Sequence, residues 1–402
     1  MRRLLPLLVA TALIAAACGS ESNDDSASTS PPESDPVETT PEPTPDTTGS
    51  PAVTEPIETP QTPETTGAPE FTPTDLAGPG PYAVGVTTRT LPEGGLVEIW
   101  YPADRSAAGG TDTYALRDFL PPALAGLVSA DVDDTVTSDA SRDAASAPDG
   151  PFPIVLLSHG AVGYRLGSSL VATHLASWGI VTASTDHPSR DLANFLGGTA
   201  EGQPPAADQM RSMRTYLTTL DQDPLLGGAL DNGRIALAGH SAGGGTVAEV
   251  ALDDGILGYV SYASGLRDDI PTVPSLFLAG EQDGVIEVAR TVESFDIATS
   301  PSWLWVFADT GHHGATDVCV IGGGEANLVE LAEATGLGEF IDERLRALAT
   351  DGCDDPNRPV IEVFPGVYQS STGFFRWVFG IDPDPIGLDE SAVTDGVTIT
   401  SK

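Results

Sequence analysis

The chain has 402 residues, a formal net charge of −40 and three cysteines. So much negative charge argues against nucleic acid as a partner and against electrostatic binding to anionic lipid. The length allows one large domain or two, and no internal repeat points to a second one.

The first 18 residues have the pattern of an export signal. Two arginines precede a short apolar run and small residues, which end at Cys18. The apolar run is too short to span a bilayer. The sequence Ala15-Ala-Ala-Cys18 resembles a bacterial lipobox, after which Cys18 would become the lipidated N-terminus. We therefore expect a cell-surface lipoprotein anchored to the membrane; the alternative is a secreted protein cleaved near Ala17.

Residues 19–75 differ in composition from the rest of the chain. They are rich in Ser, Thr, Pro, Glu and Asp, and the stretch Ser20–Asp75 holds 13 acidic residues and no basic ones. Such a segment buries too little apolar surface to offset its chain entropy. We predict a disordered tether here and a single globular domain over residues 76–402.

Apolar runs and helical spacing alternate through the predicted domain. The polar stretch 106–150 holds one apolar patch, Phe119–Leu127, which we interpret as a helix that either covers the active-site face or packs as an ordinary helix. Strands are predicted at Pro81–Val86, Leu96–Trp100, Phe152–Ser158, Gly179–Ser184, Ile235–Ala238, Leu257–Ala263, Val273–Gly280 and Trp303–Phe307, and helices over Ser168–Trp178 and Gln209–Leu220. This alternation predicts an α/β fold with a mostly parallel central sheet and helices on both faces.

The motif with the clearest chemistry is Gly239-His-Ser-Ala-Gly243. It follows a buried strand and precedes an Ala- and Val-rich helical stretch. In that context G-x-S-x-G forms a sharp turn that exposes the Ser hydroxyl at the edge of the sheet. Ser241 is therefore the predicted nucleophile.

A Ser nucleophile needs a His base and an acid that orients it, and in this architecture both follow it in the chain. Only two of the six histidines do so, His312 and His313, in a loop after a strand. We favour His312 as the base and keep His313 as the alternative. Asp283, in the turn after the strand that ends at Gly280, is the predicted acid, with Glu281 second.

A Gly-rich loop, His159-Gly-Ala-Val-Gly163, follows the strand Phe152–Ser158. Loops at this place supply a backbone N–H to the oxyanion, as does the residue after the nucleophile. Ala161 and Ala242 are therefore the predicted oxyanion-hole residues. Tyr164 and Phe195, both in loops, are candidates for an acyl pocket, whereas Trp303 and Trp305 lie in a strand and are expected in the core.

Together these segments resemble an α/β-hydrolase, and more narrowly the bacterial group of platelet-activating-factor acetylhydrolases, dienelactone hydrolases and cutinase-like polyester hydrolases. The resemblance rests on the Ser241 motif and on Gly80–Val86, Val97–Pro102, Leu157–Gly160, Ala176–Gly179, Leu278–Asp283 and Gly311-His312. It implies an exported serine carboxylesterase or lipase-like hydrolase that cleaves lipid, short-acyl or polyester substrates through an acyl-enzyme.

Other readings remain open from the residues alone. A binding lipoprotein on a hydrolase scaffold is one, and a peptidase or amidase with the same triad is another. We expect no cofactor and no metal, because phosphate-binding, dinucleotide-binding and metal-spaced motifs are missing from the sequence. We also expect a monomer, and a disulfide between Cys319 and Cys353, since two cysteines in an exported domain usually pair.

Overall fold

The computed structural model describes residues 75–402 except 266–268, 325–327, 335–337, 339–342 and 393–394. The predicted signal segment, Cys18 and all but the last residue of the predicted tether lie outside the described residues. Within the described residues, no helix combines the length and the apolar character needed to cross a membrane.

Twelve strands are found in the described part of the chain. They are β1 (Ala83–Thr90), β2 (Leu96–Ala103), β3 (Asp112–Ala115), β4 (Thr135–Ser138), β5 (Ser141–Arg142), β6 (Phe152–Ser158), β7 (Val181–Thr185), β8 (Leu230–His240), β9 (Ile256–Tyr262), β10 (Ser275–Gly280), β11 (Ser302–Phe307) and β12 (Val397–Ser401). Ten of them form one sheet in the order β12-β11-β10-β9-β8-β6-β7-β2-β1-β5. Strands β7-β6-β8-β9-β10-β11 run parallel, and β2 and β12 pair antiparallel at the two ends of this block.

Nine α-helices are described. They are α1 (Pro122–Ala125), α2 (Ser169–Ser177), α3 (Leu192–Gly197), α4 (Ala206–Leu217), α5 (Ala242–Val250), α6 (Val288–Ile297), α7 (Leu328–Ala334), α8 (Glu343–Thr350) and α9 (Val360–Val378). The predicted α/β fold with a mostly parallel sheet is confirmed.

The central strands are apolar on both faces, and β6 shows why. Ile154 and Leu156 belong to one core cluster, whereas Val155 and Leu157 belong to the other. A strand that is covered on both sides needs a continuous apolar run rather than an alternating one. The helices that cover both faces leave the carboxyl edge of the parallel strands as the place for a site.

The stretch 106–150 differs from its prediction. Phe119–Leu127 is not one helix but a 3-10 turn that ends at Phe119, followed by the single-turn helix α1. Consecutive prolines at positions 121 and 122 prevent a longer helix from starting earlier, because proline has no N–H and restricts the residue before it. Elsewhere in the stretch, β3 and β4 form a small antiparallel sheet, and β5 pairs with β1 at the edge of the large sheet.

Candidate active site

Ser241 lies in the sharp turn between β8 and α5. Its backbone has φ 55° and ψ −123°, a strained conformation for a residue other than glycine, and its N–H donates to the carbonyl oxygen of Tyr262 at 2.8 Å. A Cβ on Gly239 would lie 2.2 Å from the carbonyl oxygen of Gly243, and one on Gly243 would lie 2.0 Å from that of Ser158. Both glycines of the motif are therefore required by close backbone approach.

The predicted acid and base meet at the carboxyl edge of the sheet. Asp283 follows β10, and His312 lies in the loop after β11. The Nδ1 atom of His312 is 2.8 Å from Oδ2 of Asp283, and both side chains are buried. Nε2 of His312 is also buried and has no hydrogen-bond partner among the described residues. It is the atom that a catalytic base would use.

Burial shifts the pKa values of this pair in opposite directions. Burial, together with the neighbouring His313, lowers the pKa of His312 to about 3. Burial raises the pKa of Asp283 to about 6, although hydrogen bonds from the N–H groups of Ile286 and Val285 favour its ionised form. At neutral pH the carboxylate is ionised and the imidazole neutral, so Nδ1–H donates to Asp283 and Nε2 carries the free lone pair.

The two alternatives to this pair are placed elsewhere. Nδ1 of His313 is 3.1 Å from Oγ1 of Thr316, and its Nε2 is 2.7 Å from the carbonyl oxygen of Leu348. Both ring nitrogens are therefore engaged, which favours His312 over His313 as the base. The side chain of Glu281 is exposed, whereas Asp283 is the carboxylate bonded to the imidazole.

The predicted oxyanion loop lies beside the nucleophile. A Cβ on Gly160 would be 3.1 Å from Cβ of Ser241, and Ala161 lines the same cavity as Ser241. Ala242 is the first residue of α5 and lies just outside the set that lines this cavity. Its role in an oxyanion hole, and that of Ala161, stay predictions.

Arg190 is a residue that the sequence analysis missed. Its guanidinium donates to the carbonyl oxygen of His159 at 2.7 Å and to the hydroxyl of Ser158 at 2.8 Å. It also donates to the carbonyl oxygen of Ala242 at 3.1 Å and to the hydroxyl of Thr246 at 2.8 Å. Arg190 therefore ties the oxyanion loop to the first turn of the nucleophile helix. A single arginine in a loop belongs to no motif, so the sequence carried no signal for it.

The remaining histidines make structural contacts. Nε2 of His159 accepts from the N–H of His187 at 3.0 Å, so its Nδ1–H donates to the carbonyl oxygen of Gly160 at 2.9 Å. Burial lowers the pKa of His159 to about 3. His240 lies in the elbow itself, and its Nε2 is 2.8 Å from the carbonyl oxygen of His312. These neutral rings fix the backbone around the pair of His312 and Asp283.

A cavity of about 60 Å³ opens next to Ser241. A water molecule needs about 10–15 Å³ of such volume, so the cavity has room for a few waters or a short acyl chain. Trp303 and Trp305 are buried in the core, as expected. Of the two candidates for an acyl pocket, Tyr164 lines the cavity and Phe195 does not. The lining side chains other than the catalytic candidates are mostly apolar and include Val162, Tyr164, Val318, Leu345, Leu348 and Ala349.

Cys319 and Cys353 form the predicted disulfide. It links the segment after His312 to the chain just beyond α8, the helix that supplies Leu345, Leu348 and Ala349 to the cavity. Within the described residues, no group of three or more His, Cys, Asp or Glu side chains is placed to hold a metal ion.

The fold is shared with a solved ferulic acid esterase from Streptomyces cinnamoneus. The two structures have a TM-score of 0.55 and 20% sequence identity, over 81% of this chain and 99% of the other. The chain has the α/β-hydrolase fold.

Residues 76–208 of this hydrolase match the family described as platelet-activating factor acetylhydrolase, isoform II. No curated protein matches the sequence. The family match covers β1 to β7 and the predicted oxyanion loop and ends before Ser241, Asp283 and His312. It indicates a carboxylic ester hydrolase that is similar to the platelet-activating factor acetylhydrolases. The predicted family resemblance is thereby confirmed.

Proposed function

We propose that this ester hydrolase is a serine carboxylesterase that uses Ser241 as nucleophile, His312 as base and Asp283 as the orienting acid. The observation that carries the proposal is the bond between Nδ1 of His312 and Asp283, which leaves Nε2 without a hydrogen-bond partner among the described residues, while His312 and Ser241 line the same cavity. Such an arrangement suits acyl transfer.

The reaction begins when Oγ of Ser241 attacks the ester carbonyl and Nε2 of His312 takes its proton. The backbone N–H groups of Ala161 and Ala242 stabilise the oxyanion, and loss of one such donor typically costs about 10²–10³ in kcat. The imidazolium then gives its proton to the leaving alcohol. Water, activated by the same His312, releases the acid and restores Ser241.

The substrate that fits best is an ester with a short acyl chain. The cavity has a volume of about 60 Å³ and a largely apolar wall, which suits a small hydrocarbon group. The alcohol part would lie outside this cavity, where a lipid, a small alcohol or a polyester chain is possible. The family match to acetylhydrolases supports the same acyl size.

The experiment compares hydrolysis of p-nitrophenyl acetate, butyrate and palmitate by the purified protein and by Ser241→Ala. We expect acetate and butyrate to be cleaved much faster than palmitate, and the variant to be inactive. A wild type that cleaves none of the three and does not react with a fluorophosphonate would favour a binding lipoprotein. Faster cleavage of the matching p-nitroanilides would favour an amidase.

The proposal extends to location. The signal pattern of residues 1–18 and the acidic tether support export and lipidation of Cys18. Metabolic labelling with an alkynyl fatty acid should mark the wild type and not Cys18→Ala, and the variant should be released from the membrane fraction. Equal labelling of both proteins would contradict a lipid on Cys18.

We propose a monomer, which light scattering of the purified domain would test.

A further inference from the structure

Asp351, the residue directly after α8, contacts both loops that carry the proposed acid and base. Its Oδ1 accepts from the backbone N–H of His312 at 2.6 Å, and its Oδ2 accepts from the backbone N–H of Gly284 at 3.0 Å. Its carbonyl oxygen accepts from the N–H of His313 at 3.1 Å. We infer that Asp351 is a positioning residue, which holds the loops of Asp283 and His312 at the separation that their hydrogen bond requires.

Glycines lie at the points where the backbone approaches Asp351 most closely. A Cβ on Gly284 would lie 2.7 Å from Oδ2 of Asp351, and a Cβ on Gly311 would lie 2.4 Å from Oδ1. Gly352 has φ 93° and also lies against Gly311, whose Cβ would be 2.5 Å from its backbone N. Glycine therefore stands next to each of Asp283, His312 and Asp351. At Gly311 and Gly352 the close approach involves backbone atoms, which only glycine permits.

The segment that carries Asp351 is itself anchored. The N–H of Asp351 donates to the carbonyl oxygen of Ala347 at 2.9 Å, which continues the last turn of α8. Two residues further on, Cys353 is joined to Cys319, which follows the His312 loop in the chain. The carbonyl oxygen of Leu348 accepts from the ring of His313. The same short segment thus holds the His loop through side chain, backbone and a covalent bond.

The inference rests on the proposed function, and it has an electrostatic consequence. The charged or titratable groups next to His312 are Asp283, His313, His240 and Asp351. The negative charge of Asp351 raises the pKa of His312 and so opposes the effect of burial. Removal of this charge lowers the pKa of His312, whereas a residue that only fills space would leave it unchanged.

The test is Asp351→Asn, with Asp354→Asn as the matched control. The side chain of Asp354 is exposed, and its described hydrogen bonds are made by its backbone carbonyl. An asparagine at 351 keeps the shape but replaces one acceptor by an NH₂ donor that faces an N–H group. We expect kcat for p-nitrophenyl acetate to fall about 10- to 100-fold with KM unchanged, since small misplacements of reacting groups have effects of this size. Asp354→Asn should match the wild type.

A second readout does not need esterase activity. The Nδ1–H proton of His312 should give a low-field proton resonance in the wild type and in Asp354→Asn, assigned by its loss in His312→Gln. In Asp351→Asn we expect this resonance to broaden or vanish, and the ring of His312 to titrate at lower pH. This readout keeps the inference testable even if the wild type proves inactive and the proposed function fails.

Gly284→Ala covers the case in which Asp351→Asn does not fold. It pushes a methyl group against Oδ2 of Asp351 without a change of charge, so kcat should fall while the titration of His312 stays in place. A folded Asp351→Asn with wild-type kcat and an unchanged resonance would overturn the inference. So would a Gly284→Ala variant with wild-type kcat.

Discussion

At the scale of single residues, the site depends on a buried carboxylate whose pKa is raised and a buried imidazole whose pKa is lowered. Burial is the first cause in both cases. The consequence is a pair that carries one negative charge at neutral pH, located on Asp283. That charge selects the His312 tautomer in which Nδ1 holds the proton and Nε2 accepts one.

Asp283→Asn should therefore abolish most of the activity with little effect on the fold. An asparagine can still accept from the N–H groups of Val285 and Ile286, but its NH₂ group donates to Nδ1 of His312 and imposes the wrong tautomer. We expect kcat to fall about 10³- to 10⁴-fold, the size known for such a change in serine proteases. Glu281→Gln is the matched control, because that side chain is exposed. A loss of less than tenfold in Asp283→Asn would contradict this role.

The pH dependence of kcat/KM follows from the pKa values of Asp283 and His312. As the pH falls through about 6, Asp283 becomes protonated; its OH then donates to Nδ1 of His312, which moves the ring proton to Nε2 and removes the base. The value of kcat/KM should be constant above pH 7 and fall about tenfold per unit below pH 6. A profile that stays flat down to pH 4 would show that another group controls the acid limb.

At the scale of elements, the parallel strands end together and α8 closes the site from outside. The proposed nucleophile follows β8, the proposed acid follows β10, the proposed base follows β11 and the predicted oxyanion loop follows β6. Their convergence is a property of parallel sheets. Helix α8 supplies the apolar wall of the cavity, and it lies beyond the part of the chain that matches the acetylhydrolase family.

If α8 limits the acyl chain, Leu345→Ala should widen the cavity. The variant removes three carbon atoms from the wall, so the preferred p-nitrophenyl ester should shift from acetate toward butyrate or hexanoate. The measurement is kcat/KM across the ester series, with Leu252→Ala, an exposed leucine outside the cavity, as control. An unchanged preference in Leu345→Ala would mean that the acyl chain lies elsewhere.

Sequence reasoning selected Ser241, Asp283 and His312 because each lies in a short pattern at a strand end. The structure places Ser241 in the sharp turn and His312 next to Asp283, and their catalytic roles stay predictions. It predicted a strand over Phe152–Ser158, and β6 has the same bounds. A short, continuous apolar run after a Gly-Pro pair is typical of a strand that is buried on both faces. Sequence reasoning did not reach Asp351 or Arg190. The side-chain partners of Asp351 are 39 and 67 residues away in the chain, and those of Arg190 are 31 to 56 residues away. It also did not reach Asp317, which accepts from the N–H and the hydroxyl of Ser169 at the start of α2, 148 residues away in the chain.

At the scale of the whole molecule, two features act on the domain beyond any single site, namely its net charge and its disulfide. The net charge of −40 leaves the domain strongly acidic, which favours solubility and repels anionic surfaces. The disulfide between Cys319 and Cys353 closes a loop with a sequence separation of 34 residues. It therefore joins the base loop and the cavity wall into one unit.

Loss of that disulfide should lower the stability of the domain. The chain-entropy relation for a loop of this length gives about 3–4 kcal/mol. The double variant Cys319→Ser/Cys353→Ser should show that decrease in the free energy of unfolding, measured with urea. Reduction of the wild type should have the same effect, and reduction of the variant none. A variant as stable as the oxidised wild type would contradict the estimate.

The role of Ser241 as nucleophile is tested most directly by mapping the residue that forms a covalent adduct with an organophosphate. The purified protein is treated with paraoxon, and its intact mass and its proteolytic peptides are measured beside ester hydrolysis. We predict one diethylphosphoryl group per chain, located on Ser241, with activity lost in proportion to labelling. An adduct on another residue, or full activity after Ser241 is labelled, would contradict Ser241 as the nucleophile.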